Sequence, residues 1–82
     1  MKEVSEKHIA EKTESLMKLI GFNIKKYRIL KQMSRVDLAF YAKTTESMIC
    51  NIENGKKPGI SIYTIVKISE ALKINLSLLF EK

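Results

Sequence analysis

The chain has 82 residues, 45% of them hydrophobic and 29% charged, and a formal net charge of +6. That length allows one small core and excludes two, while the excess of positive charge points to a polyanionic partner, nucleic acid before an anionic membrane surface. A single cysteine, Cys50, excludes an internal disulfide and fits a reducing compartment. No apolar run approaches the roughly 18 residues that would span a bilayer. The opening "MKEVSEKHIAEK" is too charged for a signal peptide, so a cytoplasmic protein is expected.

In the first twenty residues Lys2, Lys7, Lys12 and Lys18 balance Glu3, Glu6, Glu11 and Glu14, so the whole charge excess lies in residues 21–82. Val4, Ile9, Leu16, Leu19 and Ile20 recur among these charges, and Glu3–Lys7 and Glu14–Lys18 stand four apart with the acid first, the favourable order in a helix. An amphipathic helix over 4–20 follows. Gly21 then reads as a loosening of the chain before a second helical pattern in "FNIKKYRILK". Residues 1–20 are therefore expected to form an N-terminal extension and residues 21–82 the main domain.

Ser34, with Asp37 three residues on, is a capping-box variant. The short helix it opens, over about 35–42, is expected to turn Val36, Leu38, Ala39 and Ala42 inward. Thr45 is a good N-cap and Gly55 a good stop for the next helix, over about 46–53. In that helix Ile49 and Ile52 share one face with Met48 beside them. Glu46, Ser47, Cys50, Asn51 and Asn54 fall on the opposite face, which is small and polar. "NGKKPG" is the one strong break. Beyond it Ser61 caps "IYTIVKISEALK", with Ile62, Ile65, Ile68, Ala71 and Leu72 toward the core, and Asn75 caps a last short helix, "LSLLF". No stretch alternates as a strand would, so the expected fold is all-α.

Two helices joined by a tight turn, the second with a small polar face, describe a helix-turn-helix. A helix that reads base edges must approach them closely, and the major groove, about 12 Å wide, admits one such helix. In "IGFNIKKYR", "MSRVDLAFYA", "TTESMICNIENGKKP" and "IYTIVKISEALKINLSLLF", residues 20–80 resemble the Cro/C1-type helix-turn-helix family of phage repressors and xenobiotic-response-element-like bacterial regulators. The resemblance implies a five-helix, phage-repressor-like DNA-binding domain, here with an additional N-terminal helix, and double-stranded DNA as partner. By position it implies base contacts from Glu46, Ser47 and Asn51, with Cys50 nearby. It places Arg35, Thr45, Asn54, Lys56 and Lys57 against the DNA backbone and pairs Arg28 with Glu53 in a partly buried salt bridge. The family often has glycine where this chain has Gln32, Lys43 and Lys73. Either the caps here use another geometry or they tolerate local strain; Lys43 also brings a positive charge into the turn, toward phosphate.

Asn51 can offer a donor and an acceptor together, as adenine requires, and Ser47 is similar but less discriminating. Glu46 either accepts from cytosine N4 or simply favours the helix dipole. Cys50 has no basic neighbour in sequence to activate it and reads as a small filler. His8 has no second histidine or nearby cysteine to complete a metal site, and no nucleophile–base pair is present. No metal, cofactor or enzymatic activity is expected. Ile74, Leu76, Leu78, Leu79 and Phe80 are more apolar than one short helix can bury beneath itself, and form a candidate homodimer surface. The leading reading is a dimeric, autoregulating repressor, restriction–modification controller or phage switch protein, governed by its own level because no second domain is there to sense a ligand. The alternatives are an antitoxin that binds a toxin through the N-terminal helix, and an interaction module without DNA binding.

Overall fold

The structure, a computed structural model, describes residues 3–82, and all regular structure among them is helical; Met1 and Lys2 of the expected extension lie outside the described residues. Four α-helices, α1 (Glu6–Leu30), α2 (Arg35–Tyr41), α3 (Glu46–Glu53) and α4 (Ile62–Leu72), are followed by a 3-10 helix over Leu76–Phe80. The five-helix domain with a separate N-terminal helix is thus not what forms. From Glu6 on, the extension runs unbroken into the first domain helix as one α1, and the last element is a 3-10 turn rather than an α-helix.

Gly21 does not loosen α1; it lets α1 press on α3. A Cβ added there would collide with the carbonyl oxygen of Ile52 and lie 2.9 Å from that of Glu53. Glycine in a helix interior costs roughly 1 kcal/mol against alanine, and this close approach offsets it. Ser5 caps α1 by accepting from the His8 N–H, and Glu14–Lys18 pairs at 3.1 Å. Glu3 precedes the helix, so the other predicted pair lacks its helical spacing.

The core joins Met17, Ile20 and Ile24 of α1 to Leu38 and Ala39 of α2 with its C-cap Ala42, Ile49 and Ile52 of α3, Ile65, Ile68 and Leu72 of α4, and Leu79. Asn23 closes the bottom, its Nδ2 donating to the carbonyls of Leu79 (2.9 Å) and Glu81 (2.8 Å). Two residues expected inside are outside: Val36 is 57% exposed and Ile62 is 66% exposed. Both sit at a helix start, where less than a full turn of pattern fixes the face. Leu79 is the opposite case, fully buried in this chain's own core and so no part of a dimer surface; Ile74 and Leu76 are half-buried against that core. Of the proposed set, Leu78 remains half-buried and Phe80 exposed.

The four reversals share one closure. At Gln32, Lys43, Gly55 and Lys73 the chain takes a left-handed conformation, with φ between 55° and 70°. At each, the residue's N–H bonds three back and the next N–H bonds five back, as in Lys43 to Phe40 (3.2 Å) and Thr44 to Ala39 (2.9 Å). The three non-glycine residues therefore keep the usual geometry and bear its strain, roughly 1–2 kcal/mol each.

Candidate nucleic-acid interface

The α2–turn–α3 unit is fixed at every end. Ser34 and Asp37 form a reciprocal capping box, Asp37 N–H to Ser34 Oγ and Ser34 N–H to Asp37 Oδ2, both 3.0 Å. These bonds hold the Asp37 carboxyl below its ordinary range, the backbone donor contributing most. Thr45 Oγ1 accepts from the Met48 N–H at 3.1 Å and starts α3. Lys67 of α4 reaches the turn itself: its Nζ donates to the Lys43 carbonyl at 3.2 Å and lies 4.9 Å from the Tyr63 ring centroid. Nothing in the spacing of Lys67 signals this brace.

Ile49 and Ile52 are fully buried on the inner side of α3. On the outer side Glu46 and Ser47 are exposed while Cys50 and Asn51 are partly so. Asn54 Nδ2 donates to Cys50 Sγ at 3.5 Å. Lys43 and Thr45 stand exposed before the helix; Asn54 and Lys56 are exposed and Lys57 partly buried after it. The α3 face that the pattern singled out is thus flanked at both ends by lysines. Glu46 is the one acid on it, and it lies in the first turn, where a carboxylate suits the helix dipole.

The anchor beneath is ionic. Arg28 grips Glu53 with two bonds, Nε to Oε2 at 2.6 Å and Nη2 to Oε1 at 3.1 Å, and its Nη1 donates to the Met33 carbonyl at 2.9 Å. The expected pair is present, with the Glu53 side chain 1% exposed. Arg35 joins it, Nε to Glu53 Oε1 at 3.1 Å. The resemblance implied only a DNA-backbone contact for Arg35; nothing in its position revealed that Glu53 serves two arginines. Among the described residues no group of three metal-ligating side chains comes together, and no helix is long and apolar enough to cross a membrane.

A family model described as helix-turn-helix matches residues 24–79. Among solved structures, the crystal structure of the restriction-modification controller protein C.AhdI from Aeromonas hydrophila is similar, with a TM-score of 0.74 and 28% identity. The match covers 78% of this chain and 96% of that one. No curated protein sequence matches.

Proposed function

Because the chain belongs to the Cro/C1-type helix-turn-helix family and is a DNA-binding transcriptional regulator, we propose that it works in the cytoplasm as a two-fold homodimer that represses its own gene. In this reading α3 enters the major groove and Glu46, Ser47, Cys50 and Asn51 meet base edges. Lys43, Thr45, Asn54, Lys56, Lys57 and Arg35 bond the phosphates and set the register without reading sequence. Residues 21–82 are the DNA-binding domain and residues 1–20 an extension of it, joined to the domain from Glu6 on through the single helix α1. Leu78 and Phe80 contribute to the dimer surface.

One observation carries this: α3 is locked by its apolar side and by Glu53 into the core, while its small polar side is left outward between lysines. The likeness to a restriction–modification controller favours that kind of regulator, and an antitoxin role draws no support from it. The family is one of DNA-binding regulators, in keeping with a non-enzymatic protein.

Selection from a random duplex library tests the reading. A dimer should enrich an inverted repeat with half-site centres one helical turn, about 34 Å, apart. Enrichment of a single unrepeated site would remove the two-fold arrangement, and no enrichment would remove specific recognition.

A further inference from the structure

We propose that Glu53 is a positioning residue for DNA binding: its buried carboxylate holds the Arg35 guanidinium by one edge so that the other edge grips a backbone phosphate. The inference rests on α2–α3 being the DNA-binding unit.

The carboxylate of Glu53 is already neutralised without Arg35. Arg28 bonds it twice and bonds the Met33 carbonyl through its remaining nitrogen, so every nitrogen of Arg28 is engaged inside the fold. Arg35 adds a second positive charge to a single buried carboxylate, and the three groups together carry one uncompensated positive charge. It is bound only through Nε, and among the described residues its two terminal nitrogens have no acceptor. Its side chain is 35% exposed, against 11% for Arg28.

The position of this half-held fork matters. Arg35 is the first residue of α2 and Glu53 the last of α3, so one carboxylate ties together the two helices of the motif. A guanidinium is planar, and a bond at Nε fixes the plane in which its terminal nitrogens lie. Phosphate is the anion whose geometry matches two parallel N–H donors. A side chain already ordered by Glu53 loses less freedom on binding than a free surface arginine would.

The test uses the full chain, checked for folding by circular dichroism, on the duplex that wild type selects and on a scrambled one. Arg35→Ala should weaken both by about tenfold and make the salt slope shallower by about one unit. Glu53→Gln decides the positioning role through its sign. It makes the protein more positive, so electrostatics alone predicts tighter binding; loss of positioning predicts binding several-fold weaker. In an Arg35→Ala background Glu53→Gln should cause no further loss. A folded Glu53→Gln that binds as tightly as wild type, or an equal loss in both backgrounds, overturns the inference.

Where Glu53→Gln does not fold, Arg35→Lys answers instead, since it leaves the Arg28–Glu53 pair intact. It should keep the salt slope yet bind several-fold weaker, because one amine cannot hold Glu53 and fork a phosphate. Wild-type affinity in Arg35→Lys overturns the held fork. Wild-type chain without preference for any duplex would instead sink the DNA-reading assignment itself, a separable failure.

Discussion

Residues 6–16 of α1 and the eight residues of α3 both leave a broad side in solvent, but they differ in what lies behind and around it. The α1 stretch is exposed almost throughout, with Ile9 (48%) and Leu16 (41%) set among two lysines and three glutamates, so it carries none of the chain's positive excess. Nothing buried anchors it before Met17. In α3 the inner side is sealed by Ile49, Ile52 and Glu53, the start is capped by Thr45, and the outer side is short, polar and bordered by lysines. A solvated helix side tolerates long mobile charges; a side meant to meet a rigid partner needs small groups held still. The first stretch reads as a solvated extension and the second as an interface.

The largest effect should come from the anchor of α3. Arg28→Ala leaves the Glu53 carboxylate with only the half-exposed Arg35, and stability should fall by about 3–5 kcal/mol in urea denaturation. A loss under about 1 kcal/mol would mean α3 is not held by this pair. Gly21→Ala comes next and discriminates by sign. Helix propensity alone predicts a gain of about 1 kcal/mol; the contact of α1 with the Ile52 and Glu53 carbonyls predicts a loss of about 1–3 kcal/mol. Asn51→Ala should leave stability unchanged yet forfeit about 1–3 kcal/mol of discrimination at one base pair in competition binding. If every single-base variant of the site is still ranked as before, Asn51 does not read a base.

Smaller effects complete the comparison. Lys43→Gly should raise the denaturation midpoint, worth about 1 kcal/mol, by relieving the left-handed lysine at φ 55°. Ile9→Ser on the solvated stretch should shift stability by less than about 0.5 kcal/mol. A marked destabilisation there would show that residues 6–16 pack on something after all.

What was legible in the sequence was local. Ser34, Thr45, Ser61 and Asn75 all cap the elements assigned to them, because a capping side chain bonds within three residues of itself. The polar side of α3 followed from Ile49 and Ile52 alone. The Arg28–Glu53 pair came from resemblance, since 25 residues separate the partners and no periodicity links them. Three features were not legible. Gly21 reads as a break until the α3 backbone is seen to lie against it. Val36 and Ile62 read as core because a helix start offers no preceding turn to contradict them. Arg35 reads only as a contact to the DNA backbone, through the resemblance, because its protein partner lies 18 residues away, on another helix.

The most direct test of the claim that the outer side of α3 reads DNA sequence is fluorescence anisotropy. The chain is titrated onto DNA from upstream of its own gene and onto a scrambled duplex, at several salt concentrations. A preference of roughly a thousandfold or more for the upstream DNA is the predicted result. Equal affinity for both, falling steeply with salt, would leave only electrostatic attraction between a basic chain and phosphate and would contradict the account.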